Sequence, residues 1–149
     1  MSENSTFDLR DFMPYLLNQA AEETSRAFSE TYRKKYGMLQ TEWRVLFHLG
    51  RYGDMTAKDI CDRARIHKTK VSRAVHALEE KRFLSRKTRP DDRRHEVLSL
   101  TKQGLRVFGD LNLSAQAFDA TLTAEYEPDE LARLRQALIK IARLDQAPK

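Results

Sequence analysis

Within ten residues the sequence sets His67, Lys68, Thr69, Lys70, Ser72, Arg73 and His76, followed further on by Arg89, Arg93 and Arg94. The chemistry these types share is recognition of a polyanion. Lysine, threonine and serine near a helix start contact phosphate oxygens, whereas the long forked guanidinium of Arg73 is suited to guanine edges. Competing chemistries lack their residues. There is no G-x-S-x-G and no glycine loop to cradle a phosphate, and the carboxylate pairs Glu79-Glu80 and Asp91-Asp92 sit among basic groups as solvated charge. The histidines His48, His67, His76 and His95 have no metal-ligand spacing, and the single cysteine, Cys61, can make neither an internal disulfide nor a cysteine zinc site. Cys61 reads as a small core residue. The expectation is a protein that is not an enzyme and carries no metal or cofactor.

Whatever positions these groups is small and helical. The chain has 149 residues, 40% hydrophobic and 33% charged, with five glycines and four prolines. That composition suits one domain, or one domain with a dimerisation element, and favours helices over a loop-rich sandwich. No apolar run approaches the roughly 20 residues of a membrane span, and no signal-like segment opens the sequence, so a cytoplasmic protein is expected. The formal charge of +5 is concentrated: residues 1–55 sum to −1, residues 56–104 to +7 and residues 105–149 to −1. A basic centre between near-neutral flanks predicts a central module that meets nucleic acid.

Apolar positions from Leu9 to Tyr32 recur at helical steps and predict one long amphipathic helix, with Asp11 as N-cap, Pro14 in the first turn and an end at Tyr36-Gly37. Thr41 is expected to cap a buried helix from Glu42 to about Leu49, with Arg51-Tyr52-Gly53-Asp54 as a turn. Thr56 and Asp59 have capping-box spacing for a short helix to about Ala64. The tight turn Arg65-Ile66-His67 leads to a helix from Lys68 to about Lys81, whose inner face is Val71, Ala74, Val75 and Leu78. Two helices so joined are a helix-turn-helix. Strand-like runs at 83–88 and 96–100 flank a polar loop, 89–95, and predict a hairpin with a basic tip. Thr101 caps a further helix, and Pro128 opens a last one with leucine and isoleucine repeats to Leu144. The outer apolar stripes exceed what a chain of this length buries alone, so a homodimer is expected.

The stretch Leu46 to Gly104 resembles the winged helix-turn-helix of MarR-type transcriptional regulators. The likeness rests on Lys70-Val71-Ser72-Arg73, on Leu78-Glu79-Glu80-Lys81, and on Asp92-Arg93-Arg94 followed by Leu100-Thr101-Lys102-Gln103-Gly104. The resemblance implies a mainly α fold with a small β-hairpin wing, in a single chain 1–149. Its winged lobe at 41–100 is flanked by N- and C-terminal dimerisation helices at 9–36 and 101–146. It implies a homodimer on a pseudo-palindromic operator of double-stranded DNA, most commonly a repressor. Lys68, Thr69, Lys70, Ser72, Arg73, His76, Arg89, Arg93 and Arg94 would contact DNA, Arg94 in the minor groove, and Asp92 would orient the wing. It also implies release by a small-molecule effector, an aromatic acid or its coenzyme A thioester, for which Phe12, Tyr15, Trp43, Arg44, Phe47 and His48 are candidates. Two positions depart from the family pattern: Arg82 stands where relatives have glycine, and His67 where an aspartate or serine cap is common. An architectural DNA-coating protein without effector, or a module whose basic wing binds an acidic protein, are the competing readings of the residues.

Overall fold

The computed structural model describes residues 6–89 and 92–146, with the backbone alone at Arg89 and at 92–95. Asp8 caps a 3-10 turn, Leu9–Asp11, and helix α1 then runs from Met13 to Tyr36. The expected start at Asp11 is therefore corrected: Phe12, in extended backbone, is the N-cap. Pro14 has no amide to donate back to residue 10, so a continuous helix from Leu9 would forgo that bond. The end falls where expected, on Gly37 at φ 62°.

Helix α2 spans Gln40–Tyr52 rather than Glu42 to Leu49, and Leu39, not Thr41, is its cap. Glu42 decides this, because its carboxylate accepts the Leu39 amide at 3.0 Å, while its other oxygen takes the Lys81 ammonium at 3.2 Å. Glu42 is only 5% exposed, and the two partners compensate its burial. At the other end Arg51 and Tyr52 continue the helix, and Gly53 at φ 88° stops it.

Strand β1, Met55–Thr56, is too short to show periodicity in the sequence and pairs Met55 with Leu98. Thr56 and Asp59 do form a reciprocal capping box on α3, Ala57–Ala64. Helix α4 is Lys68–Glu80, and strands β2 (Leu84–Arg89) and β3 (Asp92–Leu100) complete an antiparallel sheet of order β1-β3-β2. Most of the expected polar loop is therefore strand, pairing Arg89 with Asp92 across a register shift. Thr101 caps α5, Lys102–Leu122, and α6 follows as Pro128–Ile141.

One core holds the lobe together. Val45, Leu46 and Leu49 of α2, Ile60 of α3, Val71, Ala74, Val75 and Leu78 of α4, and Leu84 and Leu98 of the sheet meet Val107 and Leu111 of α5. Helix α5 lies so close to the sheet that Gly104 faces the carbonyl of Phe83 directly. Outside the core the flanking helices keep apolar side chains in the open: Leu16 on α1, Leu113 and Leu122 on α5, and Leu134, Leu138 and Ile141 on α6, which buries none of its residues. Among the described residues no helix is long and apolar enough to cross a membrane.

Helices α1 and α5 are also joined by a polar contact, in which the Tyr36 hydroxyl donates to Asp110 Oδ2 at 2.5 Å beside Lys35 at 3.5 Å. Burial, reinforced by the bonded carboxylate, pushes the Tyr36 phenol up to about 12. The same hydroxyl, with Lys35, holds Asp110 below the usual carboxylate range. A phenol raised above its unfolded value of about 10 stabilises the fold fully below that pH, and the contribution disappears as pH rises through about 12. Chemical denaturation across this alkaline range should show stability falling, and falling less steeply in Tyr36→Phe. Equal slopes would mean that the link contributes nothing.

Candidate nucleic-acid interface

The turn between α3 and α4 uses each of its three residues differently. Arg65 adopts the left-handed conformation, φ 54°, and closes α3 by donating its amide to Cys61. Ile66 is buried, and His67 Nδ1 accepts the amide of Thr69 at 3.2 Å. The histidine thus serves as the N-cap of α4, with the Nδ1 lone pair of the neutral ring replacing the usual side-chain oxygen.

From this start α4 divides cleanly. Val71, Ala74, Val75 and Leu78 are buried, whereas Lys68, Thr69, Lys70, Ser72, Arg73 and His76 are all exposed. The expected recognition residues therefore share the solvent side of one helix. Within that set His76 is already engaged, its Nε2 lying 3.1 Å from Glu80 one turn on. Lys68, Thr69, Ser72 and Arg73 also line a cleft of about 920 Å³ that continues along Thr56 and Lys58 of the α3 start and Arg86 of β2.

One residue past the Lys81 C-cap of α4 stands Arg82 at φ 65°, the position where glycine was expected from the resemblance. Its amide donates to Glu79 and its carbonyl accepts the Thr101 hydroxyl at 2.7 Å, so the strained residue is held from both sides. Arg82→Gly keeps both bonds and removes a left-handed cost of about 1 kcal/mol. The variant is expected to melt a few degrees higher, and calorimetry giving an unchanged or lower midpoint would refute this.

A group that the sequence did not single out joins the helix to the hairpin. Arg86 on β2 donates Nε to Glu79 of α4 at 3.0 Å and Nη1 to Glu96 of β3 at 3.1 Å. Two carboxylates beside the basic face thus share the one positive charge of Arg86. Residue types on a helix and two separate strands do not show which charges face each other, so this link has no local signal in the sequence.

The side chains of Arg89, Asp92, Arg93 and Arg94 lie outside the described residues; the backbone places Arg89 at the end of β2 and the other three at the start of β3. The six effector candidates separate. Phe12 packs edge-to-face on Phe7 at 5.5 Å, and Tyr15 is exposed on the first turn of α1. Trp43 stacks on Tyr32 at 5.5 Å and meets Phe28 and Phe47. Its indole N–H is buried with no hydrogen-bond partner among the described residues. Arg44 donates to the Ala64 carbonyl at 2.8 Å, and His48 Nδ1 lies 2.7 Å from the Arg44 carbonyl. Burial and the charge of Asp62 push the Cys61 thiol up, the opposite of what a reactive thiolate requires. Among the described residues no group of three histidine, cysteine or acidic side chains is arranged to hold a metal.

Comparison with known proteins agrees with this geometry. The sequence profile of the MarR family matches residues 36–95. The fold is similar to the crystal structure of a MarR/EmrR family transcriptional regulator from Acinetobacter sp. ADP1, with 27% identity, TM-score 0.82, and coverage of 95% of this chain and all of that one. It is similar to Bordetella bronchiseptica BpsR, the subject of a structure on regulation of DNA binding by 6-hydroxynicotinic acid, with 19% identity, TM-score 0.82, and coverage of 93% and 98%. A third likeness is to a mutant of E. coli MarR complexed with operator DNA, with 20% identity, TM-score 0.78, and coverage of 91% and 99%.

Proposed function

We propose that this chain, whose residues 36–95 match the MarR family and whose fold is similar to that of a MarR/EmrR family transcriptional regulator, acts as a homodimeric repressor on a pseudo-palindromic operator and is released by a small aromatic acid. The observation that carries the reading is the division of α4, with an apolar face locked into the core and six polar side chains presented together beside the wing. A helix so held fits the major groove, where Lys68, Thr69, Lys70 and Ser72 meet phosphates and Arg73 reads a guanine. His76, once freed from Glu80, adds a further polar contact. Arg89, Arg93 and Arg94 carry the wing to the neighbouring minor groove, and Asp92 orients it. The E. coli MarR structure with operator DNA supports this docking.

The lobe at 41–100 binds DNA, and the helices at 9–36 and 101–146 form the dimer. Support for the dimer comes from the uncovered Leu16, Leu113, Leu122, Leu134, Leu138 and Ile141 on those helices. The effector acts between the dimer helices and the lobe, near Trp43, Phe47, His48 and Arg44, with Phe12 and Tyr15 brought in from α1. The BpsR structure, with its 6-hydroxynicotinic acid regulation, favours an aromatic carboxylate, free or as a coenzyme A thioester. Such a regulator works in the cytoplasm.

Fluorescence anisotropy against the intergenic DNA beside the protein's own gene tests the proposal, with a scrambled duplex as control and salt varied from about 50 to 200 mM. Saturation at one dimer per native duplex, with weak binding to the control, is the expected result. Equal and steeply salt-dependent binding to both would instead favour a DNA-coating protein.

A further inference from the structure

Arg65 does more than end α3. Its Nη1 donates to the carbonyl of Ala142 at 2.5 Å and its Nη2 to that of Arg143 at 3.3 Å, 77 and 78 residues along the chain. Those carbonyls belong to the end of α6, where the last amides fold back as Ala142 to Leu138, Arg143 to Lys140 and Leu144 to Ile139. A helix C-terminus carries unpaired carbonyls and partial negative charge, and the planar guanidinium with five donors matches both. The backbone at Arg65 is left-handed, a conformation that favours glycine, yet the long side chain is present and used.

Among the described residues, helix α6 has few other attachments to its own chain. It buries no side chain, and its ion pair, Arg135 with Asp119 of α5 at 2.6 Å, lies near its middle. Its 14 residues span about 21 Å, so Arg65 holds the end that lies farthest from the α5–α6 connection. Two residues after Arg65 stands His67, the cap of the recognition helix, with the buried Ile66 fixing the turn between them. A displacement of the α6 end is thereby passed to the first turn of α4.

We infer that Arg65 is a positioning residue that ties the C-terminal dimerisation helix to the helix-turn-helix, and so fixes the separation at which the two recognition helices meet their half-sites. The inference rests on the dimeric operator reading above. The tether's contribution to binding is preorganisation: with α6 held, both α4 helices arrive at the operator spacing together, and without it that alignment must be found on the DNA.

The test compares the full-length protein with Arg65→Gly, which deletes the side chain and suits the left-handed backbone, and with Arg65→Ala. Three duplexes are titrated: the operator, the operator with two base pairs inserted between half-sites, and a single half-site. The glycine variant should bind the operator roughly tenfold more weakly, lose most of the discrimination against the lengthened duplex, and bind the half-site within about twofold of the parent. Hydrogen exchange of the amides of residues 142–144, which needs no DNA, should quicken in both variants. Unchanged exchange, or spacing discrimination equal to the parent's, overturns the proposal. An equal loss on the half-site also overturns it, by making Arg65 a phosphate contact. Should the parent itself fail to distinguish operator from scrambled DNA, the operator reading falls, and the exchange rates alone decide whether the tether exists.

Discussion

Gly104→Ala should cost the protein about 3 kcal/mol or more, a large share of the roughly 5 to 15 kcal/mol that holds a domain folded. A Cβ built on Gly104 would stand 2.0 Å from the carbonyl oxygen of Phe83 and 2.9 Å from its carbon. Both are backbone atoms, and they cannot rotate aside as a side-chain tip would. The Phe83 carbonyl also accepts the Thr101 amide at 3.0 Å, and Gly104 donates its own amide to the Thr101 hydroxyl at 3.0 Å. Relief of the clash therefore separates α5 from the segment leading into β2 and disturbs the N-cap of α5 at once. Thermal and urea denaturation followed by circular dichroism would measure the loss. Gly109→Ala, where the added methyl meets no described atom within 4 Å beyond its chain neighbours and its own helix backbone, is the matching control and should be neutral or slightly stabilising. A Gly104→Ala protein within about 1 kcal/mol of the parent would mean that the helix and strand separate more cheaply than this approach implies.

Arg73→Ala is expected to weaken operator binding by at least about 2 kcal/mol, roughly thirtyfold, because each bidentate contact to guanine contributes about 1 to 3 kcal/mol and a dimer makes two. Arg73 is exposed on the recognition face, and its neighbours in sequence, Ser72 and Ala74, split between solvent and core, so its direction is fixed by the packing of α4. Loss should be greatest on the native operator and should vanish on duplexes changed at one base pair per half-site. Lys70→Ala supplies the contrast: it should weaken all duplexes alike and flatten the salt dependence by about one phosphate contact per chain. Anisotropy titrations over a set of single-base operator variants separate the two patterns. A uniform loss with Arg73→Ala would reassign that arginine to the phosphate backbone.

The parts of the fold legible in the sequence are those with local causes. The Thr56–Asp59 capping box, the three-residue turn and the apolar face of α4 each lie within a few helical turns, and each stands where the spacing put it. The helix starts that differ depend on competition between local signals. Thr41 is a good cap by type, but Glu42 reaches back to Leu39 and is paired by Lys81, 39 residues away. The length of β3 is hidden by its composition, since residues 92–95 read as part of a polar loop until β2 supplies the pairing. The exposed polar side chains of α4 could be read because a helix face is periodic. Arg86 between Glu79 and Glu96, and Arg65 on the α6 carbonyls, could not, because distant elements must assemble before those partners meet.

Trp43 has a use apart from any role in binding. It is the single tryptophan of the chain, and it sits where α1 and α2 meet, stacked 7° from parallel on Tyr32 and touching Phe28, whose ring in turn packs on Phe118 of α5. An indole in an apolar nest with its N–H unbonded among the described residues has an emission colour and intensity governed by those few rings. The protein therefore contains its own optical probe at the junction of the flanking helices with the DNA-binding lobe. Rearrangement there can be followed by intrinsic fluorescence in real time, without a label and without a second tryptophan to confuse the signal.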